Sequence, residues 1–255
     1  MASSVHHETL GAFQFRSRKR LTGVVLGWVS TPVWFMMVLS LWQDDMTVMA
    51  TLLGSVWVLW LIYSTADAVY SHIDVYYKGL LYRRLGRGWQ TIAFHADMRF
   101  FVHRWQYGWS LFTFGKQVKL RFEMADKCYV IPHSFTQGER MVAVIEHYQF
   151  VHTLPLFHQA YEAGHTMDLG AMQWSRSTIQ VGKRCLLRKQ VGKVVLSDGK
   201  LRFHVLNEKG KSKYFAAAKV PVHKIANVGI LCRLLGFTQQ DMLKYAYDVR
   251  RLPFL

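Results

Sequence analysis

Two groups of cations are the residues best placed to do chemistry. Arg83, Arg84 and Arg87 crowd one short stretch, and Lys183, Arg184, Arg188, Lys189 and Lys193 crowd another. Guanidinium and ammonium groups at this density bind phosphate and carboxylate oxygens rather than make or break bonds. Beyond Ala66 the chain carries 28 Lys and Arg against 13 Asp and Glu, so an anionic surface is the natural counterpart. Each Lys or Arg beside an anionic bilayer is worth ~1 kcal/mol, so five or more would hold a folded body against it. The same excess would attract nucleic-acid phosphate. No RNP or helix-turn-helix pattern accompanies it, and nucleic acid is not the expected partner.

Bond-making signatures are missing. The chain has no GxSxG, P-loop or GxGxxG, the patterns that build a nucleophile elbow or cradle a nucleotide. Of 12 histidines the densest set is His147, His152, His158 and His165. On one helix, three of them would share a face but lie about 10 to 27 Å apart, too far for one metal. Pro155 interrupts that helix in any case. No HxxH, HExxH or CxxC occurs, and Cys128, Cys185 and Cys232 are scattered; they read as reduced, packed thiols. Asp97, Glu123 and Asp126 read as loop or sheet-surface carboxylates. The expectation is no catalytic residue, no metal, no cofactor, and a chain that is not an enzyme.

The elements that must position these cations begin with two uncharged, apolar stretches, 21–42 and 46–66, separated by Gln43-Asp44-Asp45. About 20 residues at roughly 1.5 Å each match a hydrocarbon core of ~30 Å, so each stretch is long enough to cross a bilayer. So short a link makes the two helices antiparallel neighbours. The first stretch is longer than a secretory h-region and ends in Trp42-Gln43-Asp44 rather than small residues, so it reads as an uncleaved span. Arg16, Arg18, Lys19 and Arg20 precede the hairpin, acids fill its turn, and Lys78 and Arg83 follow it. The positive-inside rule then puts both termini in the cytoplasm and Asp44 and Asp45 outside. Trp42 and Tyr63 suit the interfacial belt, and Pro32 should kink the first span. Gly23 and Gly27 form a GxxxG pair. It serves either packing against the second span, near Gly54-Ser55, or a homodimer seam.

After the hairpin come β-type runs at 73–77, 80–84, 89–94, 98–104, 109–114, 117–123 and 128–131, with turns at intervals of roughly ten residues. Thr136-Gln137-Gly138-Glu139 has the form of a capping box, and Met141, Ile145 and Tyr148 follow at helical spacing. The order recurs at 172–174, 177–181, 184–190, 193–196, 200–206 and 212–218, with turns at Asp198-Gly199 and 207–210. A helical stretch follows Pro221. Asp198-Gly199 between apolar runs is the clearest hairpin turn in the chain. A last helix is expected over 238–252, capped by Thr238 and Asp241 and stopped by Pro253, with Arg250 and Arg251 in its final turn.

Tyr161-x-x-Gly164, Leu169-Gly170, the 191–195 run, Asp198-Gly199-Lys200-Leu201 and Val220-Pro221-Val222 leading to Asn227 resemble a family of bacterial membrane proteins with tandem pleckstrin-homology-like (PH-like) units. Val191-Gly192-Lys193 departs from its pattern, which opens that strand with Trp. The resemblance implies an α+β membrane protein. An N-terminal transmembrane hairpin precedes two small PH-like antiparallel β-sandwich or barrel units, each closed by a C-terminal helix. The divisions are then a leader, 1–20; the hairpin, 21–66; a first unit, 67–153; and a second, 154–255.

The function that follows is non-enzymatic docking at the bacterial inner membrane. The PH-like units would hold an unidentified membrane or cytoplasmic protein and lean on anionic lipid through the eight cations named above. The alternative is a membrane-resident regulator or immunity-type protein acting through its hairpin on another integral protein. Self-association through Gly23 and Gly27 is compatible with either.

Overall fold

The computed structural model describes residues 9–109, 112–124, 127–206 and 216–251. Asp126, the 207–210 turn, the start of the 212–218 run and the Pro253 stop lie outside the described residues. The chain divides into two compact units, Met1–Ala93 with Ser134–Gln137, and Phe94–His133 with Gly138–Leu255. This division differs from one cut at residue 153, and it places residues 134–137 with the first unit.

In the first unit the elements run β1 (Phe13–Arg18), α1 (Thr22–Gln43), α2 (Thr47–Tyr70), β2 (His72–Tyr76), β3 (Gly79–Arg84) and β4 (Gly88–Ala93). The strands form one antiparallel sheet in the order β1-β2-β3-β4. The expected leader is therefore part of the fold. Its alternation explains why: Phe15 and Ser17 turn inward and are buried, while Arg16 and Arg18 point out. Arg16 grips Asp74 on β2 with both ends of its guanidinium, at 2.5 and 2.9 Å. Ile73, Val75 and Leu80 are sealed at 0 % exposure and Ile92 at 1 %, and they form the apolar side that holds the sheet.

Both helices are long and apolar enough to cross a membrane, with mean hydropathies of 1.8 and 1.6. Only 6 % and 11 % of their most apolar windows is buried, so their outward faces are unsatisfied hydrocarbon in water. They pack on each other where Trp34 stacks on Trp57 at 4.7 Å, and Trp57 stacks in turn on Trp60 of the same helix at 4.9 Å. The Trp28 indole N–H donates to Thr65 at 3.3 Å. α2 runs past the apolar stretch to Tyr70 and takes in Asp67, which pairs with Lys19 and accepts from the Ser71 hydroxyl at 2.5 Å.

The second unit begins with β5 (Arg99–Trp109), β6 (Phe112–Met124), β7 (Lys127–Ile131) and the helices α3 (Gly138–His152) and α4 (Leu154–Glu162). The expected runs 98–104, 109–114 and 117–123 are two long strands, since pairing absorbs the irregularity near Gln106 as a register shift. Then come β8 (Met167–Asp168), β9 (Met172–Trp174), β10 (Thr178–Val181) and β11 (Arg184–Leu187), one antiparallel sheet. A second sheet holds β12 (Val191–Ser197), β13 (Lys200–Val205) and β14 (Ala218–Pro221), before α5 (Val228–Leu234) and α6 (Gln239–Tyr245). Asp198 and Gly199 join β12 to β13 with φ of 49° and 66°, the left-handed pair that a tight hairpin requires. Ile179, Leu201, Phe203, Ile225 and Leu231 sit in one apolar core.

Two expectations about helix ends fail. Thr136 and Glu139 do not cap each other: the Thr136 hydroxyl donates to the Arg18 carbonyl at 3.1 Å, and Glu139 accepts from Arg104 at 3.0 Å. The last helix ends at Tyr245, and Asp248–Arg251 becomes β15, parallel to β5. An open strand edge offers a full ladder of hydrogen bonds, which outweighs one more helical turn. The Thr238–Asp241 capping box does form, with the Asp241 N–H donating to the Thr238 hydroxyl at 3.1 Å and the Thr238 N–H to the carboxylate at 2.9 Å.

Candidate functional site

The eight predicted cations fall into separate places. Arg83, Arg84 and Arg87 belong to the first unit, on β3 and the tight turn into β4. Gly86 and Gly88 take φ of 75° and 68°, which turns the chain in so few residues and pushes Arg87 outward. The end of β3 lies beside the last turn of α2, where the Leu85 N–H reaches the Ser71 hydroxyl at 3.4 Å.

Around Arg83 the structure assembles a group that the charge pattern did not reveal. Its guanidinium lies over the Trp89 ring at 5.4 Å and the Tyr70 ring at 5.8 Å. Trp89 and Tyr70 are nevertheless 47 % and 51 % exposed. His72 meets the Trp89 ring edge-on at 5.3 Å, and its Nδ1 lies 3.0 Å from the Tyr70 carbonyl. Burial holds the His72 imidazole below its ordinary pKa, and the nearby Arg16 and Arg83 charges add to the effect. Exposed Trp and Tyr under an arginine, at the end of an apolar helix, have the chemistry of a bilayer interface: an apolar ring, a polar tip and a cation for phosphate. The signal for this group was present in the sequence as Tyr70, His72 and Trp89 flanking Arg83, but only strand pairing brings them together.

Lys183, Arg184, Arg188, Lys189 and Lys193 belong to the second unit and are all exposed. Lys183 and Arg184 sit at the β10–β11 turn, where Arg184 donates to the Ala217 carbonyl. Arg188 follows the other end of that hairpin, over Tyr161 at 5.2 Å and Trp174 at 5.5 Å. Three residue steps separate the two ends, about 10 Å at ~3.4 Å per residue. They therefore act as two patches. Arg188 and Lys189 share an open hollow of about 630 Å³ with Arg176, Ser177 and Leu187. Lys183 and Arg184 share one of about 530 Å³ with Val181, Ala216, Ala218 and Lys219. Lys193 stands apart on β12.

Of the glycine pair, Gly27 is the packed member. A Cβ there would meet the Trp60 ring at 2.7 Å and Leu61 at 3.1 Å, whereas one at Gly23 meets nothing within 4 Å. The contact on the second helix is thus Trp60-Leu61, and Gly54 instead faces Val38 at 3.8 Å.

The most concentrated buried charge lies elsewhere in the second unit. Arg104, 3 % exposed, bonds Glu139 at 3.0 Å and approaches Glu146 at 3.6 Å. The Tyr247 hydroxyl donates to Glu139 at 2.6 Å. Burial pushes the Glu146 carboxyl up, with Arg104 opposing. It pushes the nearby Cys232 thiol up to about 12, which keeps that sulfur protonated and unreactive. Arg104, Glu139 and Tyr247 bond to one another, so the cluster fixes α3 and the Tyr247 segment against β5. Cys128 and Cys185 are exposed rather than packed. Among the described residues no group of three or more His, Cys, Asp and Glu is placed to hold a metal ion.

A family of unknown function (DUF6585) matches residues 1–244. No curated protein matches the chain.

Proposed function

We propose that this chain, which belongs to the DUF6585 family, is a membrane-anchored, non-enzymatic docking protein. α1 and α2 cross the bacterial inner membrane with both termini in the cytoplasm. Two PH-like units hold a protein partner there and lean on anionic lipid. The observation that carries this reading is the pairing of β1 with β2, which flank the two apolar helices in sequence. Strands joined in one ladder keep both ends of the helical hairpin on the same side of any bilayer it crosses. The Arg83, Tyr70 and Trp89 group lies beside those ends. Support for PH-like units comes from element order along the chain: β1–β4, β5–β7 and the helices α3 and α4, then β8–β11, β12–β14 and the helices α5 and α6.

The exposed thiols of Cys128 and Cys185 give a direct test of orientation. A membrane-impermeant maleimide should label them in inverted inner-membrane vesicles and spare them in intact spheroplasts. The reverse pattern would refute cytoplasmic placement. For docking, the full chain is compared with one in which α1 and α2 are replaced by an unrelated two-helix hairpin. A partner crosslinked by both chains fits docking through the soluble units. A partner lost with the native hairpin assigns the function to the helices instead.

A further inference from the structure

β11 is the terminal strand of its sheet and pairs with β10 on one side only. Which backbone groups it leaves over follows from the alternation of an antiparallel ladder. The Arg188 N–H donates to the Ser177 carbonyl at 2.8 Å, so the peptide groups of Leu186 and Arg184 also turn toward β10. Thr178 and Gln180, which stand opposite Leu187 and Cys185, direct theirs to the β9 side. The Thr178 carbonyl, for one, accepts from the Ser175 N–H at 2.9 Å. The N–H and C=O groups of Cys185 and Leu187 therefore point away from the sheet. Among the described residues nothing bonds them.

The two basic patches of this unit stand at the ends of that open edge. Lys183, Arg184 and Lys219 flank one end, and Arg176, Arg188 and Lys189 the other. None of the six makes an ion pair among the described residues. The partners of Arg184 and Arg188 are neutral, the Ala217 carbonyl for one and the Tyr161 and Trp174 rings for the other. From Lys183 to Arg188 the chain runs about 17 Å at ~3.4 Å per residue, the length of an ordinary strand.

Backbone and charge together select what fits. A phosphate or a lipid head group answers the cations but lacks the regular donors and acceptors that Cys185 and Leu187 call for. An extended polypeptide has both. A second copy of β11 is opposed, since either direction of pairing sets cations against cations. Leu187, 41 % exposed, adds an apolar contact.

We propose that β11 accepts an extended acidic segment of a partner protein as an added strand. Its carboxylates lie on the cations at the two ends, and its backbone bonds Cys185 and Leu187. The inference rests on the reading of this chain as a docking protein and gives the partner a chemistry. Strand addition takes affinity from main-chain bonds and specificity from side chains. Here the charges that keep copies of this chain apart also choose an acidic strand.

The test uses the full chain in an uncharged detergent and a fluorescent peptide, Glu-Glu-Val-Thr-Val-Glu-Glu, followed by anisotropy. The peptide should bind, less tightly as salt rises. Replacing its Glu residues by Lys, or N-methylating its backbone throughout, should abolish binding. Arg188→Gln with Lys189→Gln should weaken it about tenfold, or ~1.4 kcal/mol, the order of two exposed ion pairs. Leu187 has φ of −70° and ψ of 126°, which proline adopts without strain. Leu187→Pro thus deletes one outward N–H, keeps every cation and should lose binding as well. In the unmodified chain, bound peptide should shield the Cys185 thiol from alkylation while Cys128, exposed on another sheet, reacts as before. Absence of binding, equal binding after N-methylation or in Leu187→Pro, displacement by equimolar inorganic phosphate, or equal shielding of both thiols would each overturn the proposal. Partner crosslinking separates this claim from docking itself. A native partner crosslinked equally by the Leu187→Pro chain leaves docking standing and removes β11 from it. No partner on any chain overturns docking, while the peptide measurements still decide the edge.

Discussion

Arg18 and His72 face each other across the β1–β2 ladder, although both long helices of the chain lie between them in sequence. The hairpin is thus an insertion into a sheet. The strand that leads into α1 and the strand that leaves α2 are hydrogen-bonded neighbours. Anything that loosens one end of the hairpin also loosens the sheet.

Gly27→Leu should destabilise the hairpin by about 1–3 kcal/mol, the usual cost of overpacking, since its side chain would run into Trp60 and Leu61. Gly23→Leu has open space and should change little. Unfolding of the two variants in mixed micelles against denaturing detergent gives the comparison. Similar losses at the two positions would show that Gly27 has no special contact.

Charge reversal of Arg83, Arg84 and Arg87 to Glu should abolish protection of the β3–β4 turn in hydrogen exchange on anionic nanodiscs. At ~1 kcal/mol per cation near the surface, the protection should also fade with added salt and be weaker on phosphatidylcholine alone. Protection indifferent to both salt and lipid would place this turn away from the bilayer.

His72 predicts a pH dependence. Its folded pKa lies below the ordinary 6.5, through burial first and through Arg16 and Arg83, with Asp74 and the Tyr70 carbonyl opposing. The unfolded state then binds a proton more readily than the folded state. The contribution to stability is full above the ordinary value and is lost as pH falls from there through the folded value. His72→Gln should flatten that limb in thermal unfolding across about pH 5–8. An unchanged limb would assign it to other groups.

Arg104→Met should cost about 3 kcal/mol, the lower end of the penalty for breaking a buried ion pair, because Arg104 is buried while its partners Glu139 and Glu146 are half-buried. The loss should shrink at acid pH, where the burial-raised Glu146 takes up a proton and sheds its charge. Denaturant titrations of the variant at two pH values check both statements.

Tyr247→Phe removes the hydroxyl that donates to Glu139 at 2.6 Å. A hydrogen bond to a charged acceptor is worth about 1.5–3 kcal/mol, so the variant should be destabilised by that order. Protection of the Asp248–Arg251 strand in hydrogen exchange should fall with it, and full retention would show that β15 holds its place independently.

Local chemistry made much of this protein legible in its sequence. Two long uncharged stretches admit little besides apolar helices, since no other local structure satisfies so many backbone groups without polar neighbours. Asp198-Gly199 has the residues that tolerate positive φ, and the hairpin turn formed there. Thr238 and Asp241 had the spacing of a cap, and the cap formed. Cations were countable, but their grouping was not. Lys183 and Arg184 lie at the opposite end of a hairpin from Arg188 and Lys189, which linear proximity conceals. Partnerships distant in sequence could not be read at all. Thr136 and Glu139 had the right letters for a capping box, yet longer-range partners, the Arg18 carbonyl and Arg104, claimed them. The leader became a strand because β2 offered an edge, and the C-terminal segment became one because β5 did. The sequence determined which segments are helical, apolar or tightly turned, because those depend on each residue's own torsions and solvation. Tertiary structure alone decided which strand completes which edge and which cations share a surface, because backbone ladders and ion pairs are settled by whatever partner folding brings within reach.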